Sequence, residues 1–185
     1  METKLQIMSF KRNLTHKVAT EIANDFLEKT KEFYARAEIG GSLRRKETIV
    51  HDIDFAVIPS MGDRELWKKS LTDKIKRIGG QMISFGEIIC NIHYQDVQIN
   101  LFLGAEETWG CTLMWATGPK GHTIGMTIKA QKKNLLFNST GIWTRDNPPR
   151  LVGGKTEEEI AEILDWEYKP PELRGKSTSA GESFY

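Results

Sequence analysis

Apolar positions along the chain switch between helical and alternating spacing. Leu14, Val18, Ile22, Phe26 and Leu27 recur every three or four residues, which predicts an amphipathic helix over 10–33 with those five on its buried stripe. Alternating or continuous apolar runs then predict strands over 35–39 and 51–58, the second stopped by Pro59. A second helical pattern covers 63–78 and ends at Gly79-Gly80, and strands follow over 81–89 and 97–103. After Gly104 the pattern predicts helices over 106–115 and 122–133, separated by the turn Thr117-Gly118-Pro119. Short strands over 135–137 and 141–143 make a hairpin around Asn138-Ser139-Thr140. Thr156 with Glu159 three residues later is a capping box that opens a helix over 156–164. The Pro, Gly and Ser content of 169–185 predicts a frayed tail. The expected fold is α/β (α+β): a mixed-sheet layer over 1–103 and a smaller α/β lobe over 104–185.

Composition changes this picture little. With 39% hydrophobic and 28% charged residues, neither disorder nor a membrane span is indicated, and Met1 to Arg12 has no signal-peptide core. Cys90 and Cys111 sit in apolar stretches and are expected to be reduced and buried, in a cytoplasmic (or nucleoid or viral-equivalent) setting rather than secreted. Charge is more informative by region than in total. The net charge is +1, yet 112–155 carries seven Lys or Arg against one acid, and 156–185 carries eight acids against three basic residues. The basic segment suits a phosphate-rich partner, although a solvated helix face explains it equally well.

The chemistry concentrates in GGSLRRKETIVHDIDFAVI, residues 40–58. Side chains alternate along a strand, so Asp52 and Asp54 share a face and repel unless a cation lies between them. Paired carboxylates suit Mg²⁺, which also takes water and substrate phosphate oxygens. Gly41-Ser42 falls where the chain leaves one strand, and amides exposed at a helix start bind phosphate where glycine lets the backbone come close. Arg44 and Arg45 follow, with side chains that match phosphate geometry. His51 adjoins Asp52 and is a further candidate phosphate contact. The other histidines, His16, His93 and His122, have no metal spacing and read as surface or satisfied core residues. Trp67, Trp143 and Trp166 read as packing.

Gly-Ser, nine residues, then Asp-hydrophobic-Asp-hydrophobic resembles the signature of the DNA polymerase beta-like nucleotidyltransferase superfamily. GSLRRKETIVHDIDFAVI resembles the family X DNA polymerases in particular. ATGPKGHTIGMTIKAQKKNLLFNSTGIW is similar to that family's substrate-facing turn, helix and hairpin. TEEEIAEILDWEYKPPELRGK is similar to its C-terminal signature. The likeness runs from Lys11 to Lys176 and implies a minimal palm-plus-one-lobe type. It implies transfer of a dNMP from a dNTP to a DNA 3′-hydroxyl with release of pyrophosphate, as in short-gap repair. It further implies two Mg²⁺ (or Mn²⁺) ions in the active form, gapped or primer-template DNA as partner, no membrane, and a monomer.

By the same resemblance, Asp52 and Asp54 are metal ligands, and Gly41, Ser42 and Arg45 contact the triphosphate. Trp115, Thr117 and Gly118 line the sugar, Lys120 and Thr123 lie near the base, and Lys11 or Arg12 adds a phosphate contact. Thr127 stands where many members place an arginine that reaches the templating base, and Gln98 where a basic residue steadies the primer. Lys129, Lys132 and Lys133 are candidate DNA-backbone contacts, with a solvated face as the alternative.

The family's third aspartate falls on Asn100. In VQINLFL, Gln98, Asn100 and Phe102 share a face, so Asn100 is expected to point at the site of Asp52 and Asp54. An amide keeps the shape of the aspartate without its charge or basicity. The nucleotide's cation is therefore expected to survive and the catalytic one to be weak. Two origins stay open: a substitution introduced into an otherwise active enzyme, or a natural slow or inactive member. Two other functions also remain, a nucleotidyltransferase acting on a small molecule, RNA or protein, and a non-catalytic module that binds DNA and nucleotide.

Overall fold

The computed structural model describes residues 13–175. The expectations for Lys11, Arg12 and the start of the first helix lie outside these residues, as does the tail beyond 175.

Leu14–Thr15 (β1) pairs with Ile49–Val50 (β3), and helix His16–Thr30 (α1) follows, its first turn capped when the Thr15 hydroxyl accepts from the Val18 amide at 3.4 Å. The predicted helix therefore starts later than expected within the described residues, because Leu14 is used in a strand pair. Its buried face is also rotated: Ala19, Ile22, Ala23, Phe26 and Thr30 are inside, while Val18 is exposed. Small residues on that face let the helix lie close to the sheet.

Tyr34–Ile39 (β2) runs antiparallel to Asp52–Pro59 (β4), which includes Pro59 at its last position rather than stopping before it. The short helix Gly41–Arg44 (α2) lies between them. Arg64–Arg77 (α3) matches the expected helix, with Asp63 as its N-cap. The strand predicted over 81–89 is instead a hairpin, Gln81–Phe85 (β5) and Ile89–Tyr94 (β6), closed by the Gly86 amide donating to the Ile89 carbonyl at 2.9 Å. Apolar spacing alone could not show that break, since both arms carry strand-forming residues. Val97–Leu103 (β7) completes a mixed five-stranded sheet in the order β2-β4-β7-β6-β5, with β4 and β7 parallel.

One face of this sheet is covered by α1 and α3. Phe26, Trp67, Leu71 and Ile75 pack there against Ile53, Phe55, Val57, Ile99 and Leu101. Trp67 is fully buried and donates to the Phe33 carbonyl at 2.7 Å, so it is a packing residue, as expected.

The opposite face is covered only in part, and Trp109–Thr117 (α4) does the covering. Trp109, Leu113 and Ala116 pack on Ala56, with Ile58 and Phe102 alongside. The other side of α4 gives Cys111 and Met114 to a second core with Met126, Ala130, Phe137, Ile142, Ile160 and Leu164. A helix buried on both sides must be apolar all round, which is why it shows no amphipathic stripe. It sits three residues later than the sequence predicts at its start, after a 3₁₀ turn over Glu106–Thr108.

Lys120–Lys132 (α5), Leu135–Asn138 (β8), Gly141–Thr144 (β9), Leu151–Gly153 (β10) and Glu157–Leu164 (α6) complete the second unit. The hairpin and the capped α6 agree with expectation, and β10 adds a third strand that the sequence pattern missed. Glu159 differs in detail from a standard capping box: its carboxylate accepts from the Gly154 and Lys155 amides, and Thr156 accepts from the Glu159 amide. Within the segment expected to fray, residues 169–175 pack on the fold. Pro171–Leu173 forms a 3₁₀ turn, and Arg174 is only 2% exposed. Among the described residues no helix is long and apolar enough to cross a membrane.

Candidate active site on the open half of the sheet

The apolar packing of α4 falls on Ala56, Ile58 and Phe102, toward one end of that sheet face. Asp52 and Asp54 lie toward the other end, on β4. Parallel pairing sets Asp52 opposite Gln98 and Asp54 opposite Asn100, so four polar side chains share one patch. Asn100 donates to Asp54 Oδ1 at 2.8 Å and accepts from Gln98 Nε2 at 2.7 Å. Asn100 thus stands at the site of the two carboxylates, as the strand alternation predicts.

Burial and then the charge of Asp52 push the Asp54 carboxyl up to about 7, with the Asn100 hydrogen bond and Arg45 pulling the other way. Such a pair is short of positive charge. Oxygen donors held together in this state fit a divalent cation, and Asp52 and Asp54 are the residues that would hold it. Among the described residues no cluster of three or more His, Cys, Asp or Glu is assembled here.

The loop before α2 closes over the carboxylates. The Gly40 amide donates to the Asp54 carbonyl at 2.7 Å. Gly41 takes φ +57°, and a Cβ there would collide with the Asp54 carboxylate. Glycine is required both for the backbone angle and for the close approach. Ser42 Oγ and Arg45 Nε are buried without hydrogen-bond partners among the described residues, although Arg45 Nε lies 3.7 Å from Glu47 Oε1 and Arg45 also donates through Nη1 to the Thr117 carbonyl. An orphaned hydroxyl and guanidinium N–H beside a glycine turn are unused donors for an anion.

The family model for the DNA polymerase beta thumb matches residues 112–175. The chain is 27% identical over 141 residues to the Repair DNA polymerase X of African swine fever virus, Badajoz strain, covering 72% of this chain and 78% of the relative. The same protein from a Malawi tick isolate of that virus is 26% identical over the same shares. Both likenesses support a family X DNA polymerase, an enzyme of the nucleotidyltransferase type.

The other candidate residues divide into two groups. Thr117 and Gly118 lie beside the loop, for Arg45 reaches the Thr117 carbonyl and its Nη1 would lie 3.5 Å from a Cβ at Gly118, where φ is +63°. Thr117 itself is fully buried, and its hydroxyl accepts from Arg44 at 2.8 Å. Trp115 is half-buried with its ring centroid 5.9 Å from that of Phe137, and its Nε1 has no partner. His51 is exposed just before β4.

On α5, Lys120 and Lys132 are exposed and Lys129 is half-buried. The Thr123 and Thr127 hydroxyls turn back on their own helix, donating to the Lys120 and Thr123 carbonyls, and Thr123 is buried. Lys133 binds the Ile163 carbonyl at 2.7 Å and Asp165 at 2.6 Å, so its charge is already engaged at the end of α6.

Arg44 differs from the sequence reading. Its guanidinium does not sit in the phosphate loop but grips Glu157 of α6 through two hydrogen bonds of 2.8 and 2.9 Å. Arg174 closes the set from the far side, 3.0 Å from the same carboxylate. Glu157 and Arg174 were not singled out from the sequence. An acid in a helix's first turn reads as an ordinary dipole partner, and only the fold brings an arginine 113 residues away to meet it.

Proposed function

We propose that this chain adds a dNMP to a DNA 3′-hydroxyl with release of pyrophosphate, filling short gaps in repair, and that Asn100 slows it. The observation that supports this reading is one sheet face: two carboxylates under a glycine loop whose Ser42 Oγ and Arg45 Nε have no hydrogen-bond partner among the described residues. Residues 1–103 would serve as the palm and 104–185 as the lobe that meets nucleotide and DNA, in a cytoplasmic, nucleoid or viral-equivalent setting.

In the reaction the 3′-hydroxyl oxygen bonds to the α-phosphorus, the bond from that phosphorus to the bridging oxygen breaks, and the hydroxyl proton passes to solvent. Ser42, Arg45 and the amides of the Gly41 turn would hold the triphosphate, leaving its α-phosphorus over Asp52 and Asp54. Mg²⁺ or Mn²⁺ held by the two aspartates would supply charge neutralisation of the phosphates and a more acidic primer hydroxyl. Lys120, Lys129 and Lys132 would meet the DNA backbone, with Gln98 beside the primer end. Asn100 cannot take up a proton near neutral pH, so this chain's own residues provide no base at that place.

Extension of a one-nucleotide gap by the full chain, compared with free small-molecule, RNA and protein acceptors, tests the proposal. Incorporation confined to the gapped duplex supports it, and transfer to another acceptor in its place contradicts it. The hydrogen bond that commits Asn100 to Asp54 favours one second reading, a DNA- and nucleotide-binding module without turnover. Salt-sensitive binding of gapped DNA with no incorporation in Mg²⁺ or Mn²⁺ would establish it.

A further inference from the structure

The hydrogen bonds around Asn100 run in one direction. Asn100 turns its Nδ2 amide to Asp54 Oδ1, which accepts. Its own Oδ1 then faces Gln98, which presents Nε2 in turn. In this state the Asn100 oxygen is already used and is not offered to a cation. Asn100 is 7% exposed, so the choice of partner matters, because a buried amide left unpaired keeps its full desolvation cost.

Both links of this line are amides. A carboxylate at position 100 could not donate to Asp54, and a lysine or arginine at position 98 could not accept. Two amides alone can exchange donor and acceptor ends by rotating, with no proton transferred. We propose that Gln98 and Asn100 form a reversible amide relay that follows the charge on Asp52 and Asp54. Without a cation the relay points its N–H groups toward Asp54. When a divalent cation neutralises the pair, both amides turn over, Asn100 offers Oδ1 as a neutral ligand, and its N–H donates to Gln98 Oε1. Gln98 is then a positioning residue for Asn100. The inference rests on the reading that Asp52 and Asp54 hold a cation.

The test is a double-mutant cycle on Mn²⁺ binding by the full chain with a non-hydrolysable dNTP analogue, read by electron paramagnetic resonance. Gln98→Glu leaves only acceptors beside Asn100 and favours the turned-over state, whereas Gln98→Lys leaves only donors and opposes it. Each also changes the local charge, and repeating both in an Asn100→Ala background subtracts that effect. The expected result is a Gln98→Glu gain in Mn²⁺ affinity about tenfold larger with Asn100 present than with Asn100→Ala. Side-chain amide NMR signals of Gln98 and Asn100 should move together when Mg²⁺ and the analogue are added. Equal gains in both backgrounds, or an Asn100 amide signal that stays fixed while the cation binds, overturns the relay and leaves the cation site standing. Absence of Mn²⁺ binding to the wild-type chain overturns both.

Discussion

Asp54 carries its carboxyl in a buried place beside Asp52, and the two effects together raise it from 3.8 to about 7. Between about pH 4 and 7 the folded chain therefore holds a proton that the unfolded chain has released. The stability this group contributes is present at low pH and is lost as pH rises through its folded value. A cation at the pair reverses the preference by favouring the ionised form. Mg²⁺ with nucleotide should raise the Tm more at pH 8 than at pH 6, and Asp54→Asn should remove most of that difference. Asp52→Ala combined with Asp54→Ala should stay folded, since the removed charges repel, and should lose Mg²⁺-dependent nucleotide binding. Thermal melts and a nucleotide titration check both outcomes. A folded double variant that still needs Mg²⁺ to bind nucleotide would contradict the assignment.

At the scale of elements, α5 brings the basic segment to the surface, but its lysines are not equivalent. Lys132 is exposed and Lys129 half-exposed, while Lys133 is tied to the Ile163 carbonyl and Asp165. Sequence-independent contacts to DNA phosphates make affinity fall steeply with salt, by about one unit of slope per contact. Reversing Lys129 and Lys132 to Glu should flatten the slope of log Kd against log salt by about two. Reversing Lys133 should also loosen the end of α6, visible as a lower Tm without DNA. An unchanged slope in the first variant would move the DNA path off α5.

Elements differ, too, in how legible they were. The face shared by Asp52, Asp54, Gln98 and Asn100 followed from strand alternation, which local geometry imposes whatever the surroundings. The start of α6 was equally local, resting on Thr156 and Glu159. The hairpin at Gly86 and the strand at Leu151–Gly153 were missed because pairing partners, not spacing, decide them. The stripe on α1 was misplaced toward Val18 because alanines carry little hydrophobic signal, yet they are what packs. Arg44 was read as a phosphate contact because its neighbours suit one, and Glu157, its actual partner, lies far along the chain.

At the scale of the whole molecule, that pair couples the helix after the glycine loop to the C-terminal unit. Glu157 is buried between Arg44 and Arg174. Burial alone would raise its carboxyl, but the hydrogen bonds from the two arginines outweigh this and hold it below its usual value. The stability it contributes is present above the ordinary carboxylate range and is lost as pH falls through its folded value. Glu157→Gln keeps the shape but leaves the nearly inaccessible Arg174 uncompensated, and should cost about 3–5 kcal/mol in urea denaturation. A loss below about 1 kcal/mol would mean that the three charges are screened by solvent after all. On the proposed reading turnover draws on the carboxylates, the glycine loop with Arg45 and the lobe that Arg44 anchors. Asn100 is the departure whose effect can be sized, because a transition-state contribution of about 4 kcal/mol corresponds to about a thousandfold in rate. The most direct measurement is single-turnover extension of a gapped primer by the wild-type chain and by Asn100→Asp, in Mg²⁺ and in Mn²⁺. The account predicts a rise of about a thousandfold for Asn100→Asp with nucleotide affinity changed far less, whereas equal rates in the two chains would contradict it.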